Sequence, residues 1–276
     1  MHIAVLLCGV ADPRRPLARP ATGKWLDLVA APTTPFKLSP FDEAALEVAL
    51  KLRDRDPSVR VSALVTDGAG DVALMRTVAS FRPDFVAGIR TPADRRADPG
   101  WLSHAIPSTL TGIAAPSVDL WLMGREQGDL DDGVVPAFIA ERWGLPFVGL
   151  ALAVQRAGNA WQCDRIFGNQ VQTVRASGPL VASVTNDRGN RLRHPLMKNV
   201  AVARQQKIDM LDPGDATLHP APGSTVAVHI SRVALEPLES GRTTGTPCRM
   251  LEGSTVDQAR GLADYLRASP AALAQS

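Results

Sequence analysis

The residues best suited to chemistry lie in one stretch, from Asp119 to Glu141. A short apolar run, Leu120 to Met123, leads into a polar loop with three glycines, and helical spacing begins at Val134. A strand that ends in glycines and feeds a helix presents backbone N–H groups and the positive end of a helix dipole, which suits a phosphate. An ordinary turn between a strand and a helix has the same composition, so both interpretations stay open.

The loop and the start of the helix contain three glycines, an arginine, three aspartates and two valines. They are Gly124, Arg125, Gly128, Asp129, Asp131, Asp132, Gly133, Val134 and Val135. The acids would repel a phosphate at close range because the charges are alike. Either the loop is a structural turn, or Mg²⁺ or Arg125 offsets the acids.

Composition excludes several classes of protein. The 276 residues are 45% hydrophobic and 21% charged, which is typical of a soluble globular protein. A net charge of +2 provides no basic field for nucleic acid. Cys8, Cys163 and Cys248 lack a C-x-x-C spacing and the histidines lack metal-ligand spacing, so we expect free thiols in the cytoplasm and no metal site. No apolar run approaches the roughly 20 residues of a membrane span, and we expect no charged signal region before the first strand.

Alternating strand and helix patterns predict an α/β fold with an open, doubly wound parallel sheet, helices on both faces and right-handed crossovers. The predicted strands are Ile3 to Cys8, Val59 to Thr66, Asp84 to Ile89, Leu120 to Met123 and Pro146 to Leu150. The predicted helices begin at Pro40, Val72, Trp101 and Val134. Before the first helix, Ser39 is a suitable N-cap and Asp42 completes a capping box. The carboxyl ends of strands one, two and four should converge at the switch point of the sheet, where ligands bind.

The pattern changes after Leu150. Three further runs predict an antiparallel extension, at Ala151 to Gln155, Trp161 to Ile166 and Gln170 to Arg175, and Leu180 to Thr185 is expected to return to the main sheet. Residues 186–253 have a short predicted strand at Val226 to Val233 but no core of their own, so we interpret them as an arm on a partner subunit. Ser254 opens a last amphipathic helix. We therefore predict a domain at residues 1–185 and a C-terminal arm and helix at 186–276. We expect residues 14–38 to form an irregular excursion, with a short hairpin around Lys24 to Ala30.

Three segments together resemble the small (beta) subunit of electron transfer flavoproteins. The first, Ser39-Pro40-Phe41-Asp42-Glu43, is similar to the family's Asn-Pro-x-Asp/Cys-Glu helix start. The second, from Gly124 to Val135, is similar to the family's Gly-Arg-Gln-x-x-Asp-x-Asp-Thr-Gly-Gln-Val loop. The third, Asn190 to Lys207, resembles the Asn-Glu-Pro-Arg-Tyr segment and its lysine-rich continuation. The order and spacing of the segments also fit, so the resemblance covers nearly the whole chain.

The resemblance implies an adenine-nucleotide hydrolase-like fold and an electron-carrier subunit that is not an enzyme by itself. A beta subunit pairs with an alpha subunit that holds most of the FAD. It contributes a nucleotide pocket, usually for AMP, and a loop that docks on a flavin-dependent dehydrogenase. Electrons pass from the dehydrogenase to the FAD and on to a quinone-linked acceptor, so the chemistry belongs to the cofactor.

The family's contacts can be carried over by position. The AMP contacts map onto Leu6, Ser39, Pro40, Phe41, Asp42, Thr66 and the loop from Gly124 to Val135. Asp12 and Pro13 occupy the place where the family approaches the flavin, and Arg193 is expected to reach the flavin or the alpha subunit. Met197 falls where the docking loop presents an apolar anchor, although packing within its own subunit is the open alternative.

The chain also departs from the family's pattern. Asp132 and Val134 stand where members usually have Thr and Gln, so we expect a weakened or altered nucleotide site. The loop after the first strand lacks the family's positive charge, so the flavin potential is expected to differ. Gln205 and Gln206 replace lysines, which indicates a dehydrogenase less dependent on a basic stripe.

Two alternative functions remain. One is a nucleotide-hydrolysing or adenylating enzyme of the related fold, whose Ser-Gly-Gly-x-Asp-Ser loop is not matched by the residues from Cys8 to Asp12. The other is a scaffold paralogue that binds no nucleotide.

Overall fold

The computed structural model describes residues 1–12, 14, 36–66, 72–92, 95, 98–112, 117–126, 133–213 and 250–268. The chain divides into two compact units, residues 1–234 and 235–276. The domain boundary predicted after residue 185 concerns contacts with a partner subunit and stays a prediction. Several predicted features lie outside the described residues: the hairpin around 24–30, the strand at 226–233, Pro13, Gly128, Asp129, Asp131 and Asp132.

Nine strands of the described part of the first unit form one sheet. From edge to edge these are β11 (Asp209–Leu211), β5 (Phe85–Ile89), β4 (Arg60–Val65), β1 (His2–Leu7), β6 (Leu120–Gly124), β10 (Leu180–Val184), β7 (Phe147–Ala157), β8 (Ala160–Phe167) and β9 (Gln170–Ser177). Neighbours from β11 to β7 are parallel, and β8 and β9 are antiparallel. A separate pair joins β2 (Val10–Ala11) to β3 (Phe36–Lys37). The predicted fold class is confirmed, including the return of β10 to the main sheet.

Helices cover both faces of this sheet. They are α1 (Pro40–Arg55), α2 (Val72–Ala79), α3 (Pro99–Gly112), α4 (Val134–Trp143) and α5 (Met197–Gln205), and the second unit contains α6 (Thr255–Ala268). One apolar cluster joins a sheet face to α1 and α2 through Leu46, Leu50 and Leu74. The other joins the opposite face to α3 and α4 through Leu102 and Ile139. Every residue of β1 is buried, as expected for a central parallel strand covered on both faces.

The predicted break between two strands at Leu150 is wrong. β7 is a single strand of 11 residues. Its first half pairs in parallel with β10, and its second half pairs antiparallel with β8, with register shifts at Ala182/Val184 and Ala151/Ala153. Leu150 has a positive φ of 60° at the junction. An irregularity of this kind bends a strand without ending it, so the parallel sheet and the antiparallel extension are continuous.

Three elements that follow β10 were not predicted. A short 3-10 turn at Arg188–Asn190 precedes α5, and β11 pairs with β5 at the sheet edge. Only Ala203 of α5 is buried, so this helix needs no apolar face. Its sequence therefore lacks the apolar periodicity by which a helix is recognised. The helix predicted after Ser254 is confirmed as α6. Among the residues that the structure describes, no helix is long and apolar enough to cross a membrane.

Candidate functional site

The candidate site lies at the topological switch point of the sheet. β1 pairs with β4 on one side and with β6 on the other. The chain fills the β4 side first and then crosses to β6, so the carboxyl ends of β1 and β6 border the point where the winding reverses. Ligands of doubly wound sheets bind in this crevice. The predicted convergence of residues from strands one, two and four is therefore a property of the topology.

Asp42 holds the corner between the end of β1 and the start of α1. Its side chain is fully buried. Backbone N–H groups of Cys8, Gly9 and Ser39 donate to its carboxylate at 3.2, 3.0 and 3.1 Å. Ser39 Oγ accepts from the Asp42 N–H at 3.0 Å, which completes the predicted capping box. The Asp42 carboxylate thus accepts three backbone hydrogen bonds. These bonds fix the loop that leaves β1.

The electrostatics of Asp42 follow from its burial. Removal from water raises the pKa of the Asp42 carboxyl, while the N–H groups of Ser39, Gly9 and Cys8 oppose that rise by stabilising the charged form. Backbone dipoles therefore compensate the charge of the Asp42 carboxylate.

Phe41, Gly124 and Arg125 meet at the end of β6. A Cβ atom on Gly124 would lie 2.9 Å from Cβ and 3.0 Å from the carbonyl carbon of Phe41, so only glycine lets α1 approach β6 this closely. The guanidinium carbon of Arg125 lies 4.9 Å from the centre of the Phe41 ring, within cation–π range. Arg125 also forms an ion pair with Glu126. A partly neutralised cation and an aromatic ring therefore stand together at the switch point.

The start of α4 completes this corner. Its N-cap, Gly133, has a positive φ of 64° and no side-chain cap. A Cβ on Gly133 would lie 3.8 Å from the Arg125 carbonyl oxygen, so the helix begins beside Arg125. At the next two positions Val134 is 46% exposed and Val135 is buried. The amino end of a helix favours an anionic ligand, because the positive end of the helix dipole lies there.

Leu6 and Thr66 are placed at the same edge but have fully buried side chains. Leu6 packs in the apolar cluster that contains Leu64 and Met123. Thr66 donates to the carbonyl oxygen of Leu7 through its N–H at 2.8 Å and its hydroxyl at 3.3 Å. Both side chains therefore pack beneath the carboxyl edge of the sheet. A ligand at these positions would contact the backbone.

The two described residues that were predicted near the flavin have partners within the chain. The Asp12 carboxylate accepts from the N–H and Nε of Arg14, both at 3.1 Å, and these hydrogen bonds lower the pKa of Asp12. Arg193 pairs with Glu47 at 2.9 Å and with Asp54 at 2.7 Å, and hydrogen bonds to these carboxylates raise its pKa. Arg193 thus lies along α1, and its contact with a flavin stays a prediction.

Met197 stands at the first position of α5 and is 80% exposed. The preceding Leu196 and the later Val202 are also exposed. The alternative in which Met197 packs within its own chain does not describe this structure. Its role as an anchor for a partner stays a prediction.

The sequence analysis did not identify the two acids, Glu126 and Glu47, that form ion pairs with Arg125 and Arg193. Glu126 adjoins Arg125 in the sequence, so its pairing was a detectable signal. Glu47 is 4% exposed and falls three residues after Ala44, at the border of the apolar face of α1. A carboxylate at such a position indicates a buried partner, but the sequence does not identify which arginine. In the part of the chain that the structure describes, no cluster of three His, Cys, Asp or Glu could hold a metal ion.

Several known proteins are similar in sequence to this chain. The family described as "Electron transfer flavoprotein domain" matches residues 27–215. The electron transfer flavoprotein subunit beta of Syntrophomonas wolfei subsp. wolfei is 26% identical over 62% of this chain and 66% of its own length. The namesake from Mycobacterium leprae is 27% identical over 63% of this chain and 66% of its own length. The human namesake is 27% identical over 64% of this chain and 69% of its own length.

The matched region spans just under two thirds of the length of the first two relatives. The family match itself extends over more than half of this chain and includes β6, α4 and α5. The chain therefore belongs to the electron transfer flavoprotein family, and it is similar to the beta subunits of that family.

Proposed function

We propose that this chain is the beta subunit of a heterodimeric electron transfer flavoprotein. It pairs with an alpha subunit, helps to hold FAD and passes electrons from a flavin-dependent dehydrogenase toward a quinone-linked acceptor. The observation that carries this proposal is the corner at the switch point, where Phe41, Gly124, Arg125 and the start of α4 meet in a chain of this family.

The corner fits a nucleotide of the AMP type. The amino end of α4, where the positive end of the helix dipole lies, would receive the phosphate, and Arg125 would supply positive charge. Glu126 offsets part of that charge, and the acids of the adjoining loop would offset more. We therefore propose a nucleotide site that holds AMP more weakly than a corner without these acids.

The FAD supplies the redox chemistry when it is bound, and this chain's residues orient it and set its electrostatic surroundings. Near the end of β1, the charge of Asp12 is balanced by Arg14. The residues from Cys8 to Ala11 carry no charge. A neutral loop stabilises the reduced, more negative flavin less than a cationic loop does. We therefore propose that the reduction potential of the flavin is lower than it would be beside a cationic loop.

Docking of the dehydrogenase is proposed at the start of α5. Met197 is 80% exposed and Leu196 is 59% exposed, so two adjacent apolar side chains face outward. A flexible thioether fits a shallow apolar pocket on a partner, and single buried anchors of this kind dominate many interfaces. We place the complex in the bacterial cytoplasm, since the three cysteines of the sequence are scattered and lack the pattern of a disulfide framework.

The test is co-expression with an alpha subunit from the same genome. We expect a yellow heterodimer with one FAD, which a purified acyl-CoA or N-methyl-amine dehydrogenase bleaches in the presence of its substrate. Heating the complex should release less than one equivalent of AMP. A chain that stays colourless beside every alpha subunit tested would favour the scaffold paralogue, and ATP turnover by the chain alone would favour a nucleotide-hydrolysing enzyme.

A further inference from the structure

A pocket of about 450 Å³ lies between the end of α2 and the end of α5. Its walls include Ala79, Arg82, Pro83, Val202, Gln205 and Gln206. Asp84 and Val86 also line it, where β5 begins. The pocket therefore lies at the amino edge of the parallel sheet, whereas the candidate nucleotide site lies at the carboxyl edge.

The charge of this pocket is set by Arg82. Asp84 accepts from the N–H of Val61 at 2.8 Å, and its carboxylate also lies 3.5 Å from Arg53 and 3.8 Å from Arg60. By contrast, no hydrogen bond or ion pair engages the guanidinium of Arg82 within the described residues. The pocket thus combines a compensated carboxylate, an uncompensated arginine and two amide side chains.

The surroundings of the pocket extend this positive charge. Arg76 on α2, Arg204 on α5 and Lys207 beyond α5 are exposed, and none has an ion pair among the residues described. Two carboxylates lie near these cations in the described residues. Asp84 already interacts with Arg53 and Arg60, and Asp209 begins β11. The face formed by α2 and α5 is therefore basic even though Gln205 and Gln206 carry no charge.

The backbone at Arg82 is unusual. Its φ is +60°, in the left-handed region that glycine and asparagine adopt more readily than arginine. The Arg82 carbonyl oxygen accepts from Nη1 of Arg53, which holds this conformation. A long cation at a left-handed turn beside a pocket is an outlier that points to a role for its side chain.

We propose that this pocket receives a carboxylate side chain from an acidic surface of the dehydrogenase that docks at Met197. Arg82 pairs with the carboxylate, while Val202 and Pro83 contact its aliphatic stem. The identity of this partner rests on the proposed function. α5 has nine residues, so roughly 12 Å separate its two ends and one partner surface spans both Met197 and the pocket. Contacts near both ends of α5 would fix the orientation of docking as well as its position.

The experiment compares variants of the assembled heterodimer as electron acceptors of the dehydrogenase. Arg82→Asn removes the charge and suits the left-handed backbone, and Arg82→Glu reverses the charge. Val202→Trp narrows the pocket without a change of charge. Arg175→Gln is the matched control, because Arg175 is an exposed arginine on β9 at the opposite edge of the sheet.

We expect Arg82→Asn to raise the KM for the heterodimer about fivefold and Arg82→Glu to raise it further, with kcat and FAD content unchanged. Both variants should weaken the dependence of kcat/KM on ionic strength, since they remove an attractive charge pair. Val202→Trp should raise KM at every salt concentration. Arg175→Gln should match the wild type.

An unchanged KM for both Arg82 variants, or for Val202→Trp, overturns the inference while leaving the proposed function intact. Loss of the alpha subunit from the Arg82→Glu complex assigns this face to the subunit interface and also overturns it. If no dehydrogenase reduces the wild type, the proposed function fails. The inference about the pocket is then tested separately, by measuring the binding of a fluorescein-labelled hexaglutamate peptide. Binding at low salt that Arg82→Glu abolishes and Arg175→Gln retains supports an acidic occupant, and absence of binding overturns it.

Discussion

Arg193 and Glu47 form a two-pronged ion pair although 146 positions separate them in the sequence. Nε of Arg193 lies 3.0 Å from Oε2 of Glu47, and Nη2 lies 2.9 Å from Oε1. The Arg193 N–H donates to the same carboxylate at 3.1 Å. This contact fastens the segment that leads to Met197 onto α1, so the proposed docking residue has a fixed base.

Arg193→Ala should lower the free energy of unfolding by about 2–3 kcal/mol. Glu47 is 4% exposed and would be left without its cation, and breaking a fully buried pair costs about 3–5 kcal/mol. The effect is smaller here because the Arg193 side chain is 38% exposed. Urea unfolding measures it, with Arg267→Ala as the control, since the pair of Arg267 with Asp264 is exposed and should contribute little. Equal losses in the two variants would contradict a special role for the buried pair.

Asp42→Ala should destabilise the chain by about 3 kcal/mol, because buried N–H groups of Cys8, Gly9 and Ser39 lose their acceptor. The chain offers a matched control in α6, where Ser254 and Asp257 form a similar but exposed capping pair. Asp257→Ala should cost about 1 kcal/mol or less. Thermal unfolding of both variants separates burial from capping. Similar shifts in Tm would mean that the three-donor corner adds nothing beyond a cap.

Gly124→Ala should reduce nucleotide content and stability together. The added Cβ would meet Phe41 at 2.9 Å and the Glu126 carbonyl oxygen at 3.1 Å, so α1 must move away from β6. We expect a loss of about 1–3 kcal/mol and a lower AMP and FAD occupancy of the heterodimer. Gly149→Ala is the control, since its nearest contact is the end of the Phe147 ring at 3.3 Å. Full occupancy in Gly124→Ala would separate this corner from the nucleotide site.

Met197→Ala should slow reduction of the heterodimer by its dehydrogenase about tenfold while FAD content stays the same. The expected cause is the loss of one apolar anchor, because Met197 is 80% exposed and therefore accessible to a partner. Stopped-flow bleaching measures the rate. Phe167→Ala tests specificity, since Phe167 is 60% exposed on β8, away from α5. Unchanged transfer in Met197→Ala would remove the proposed docking role.

Cys163 should resist alkylation at pH 8. Burial, with a smaller contribution from the negative charge of Asp164, raises the pKa of the Cys163 thiol to about 11. Because the unfolded chain ionises this thiol near its ordinary pKa of about 8.5, its contribution to stability is fully present below that pH and is lost as the pH rises through about 11. Iodoacetamide labelling followed by peptide mass spectrometry should find Cys163 modified only in urea.

The pH dependence can be isolated with Cys163→Ala. Between pH 8 and pH 10.5 the wild type should lose more stability than this variant, since only the wild type has the shifted thiol. Parallel losses in the two proteins would show that other groups govern the alkaline range.

Local signals predicted the parallel sheet and the capping box because each depends on residues that are close in sequence. Ser39 and Asp42 are three residues apart, and their reciprocal hydrogen bonds follow from that spacing alone. β1 and β6 were recognisable as apolar runs of the kind that buried parallel strands require.

Features that depend on distant pairing were not predictable in the same way. β7 is continuous because its first half pairs with β10 and its second half pairs with β8. α5 has one buried residue, so it lacks the periodicity by which helices are recognised. The partner of Glu47 depends on how residues after β10 return to α1, which spacing along the chain does not encode.

The position of β10 between β6 and β7 has a consequence for biosynthesis. β6 and β7 emerge from the ribosome well before β10, yet neither is a neighbour of the other, so the middle of the sheet stays divided until residues 180–184 arrive. A nascent chain that stops short of Leu180 would leave two open strand edges that invite aggregation. Commitment to the native topology therefore waits for a five-residue strand synthesised late in the first unit.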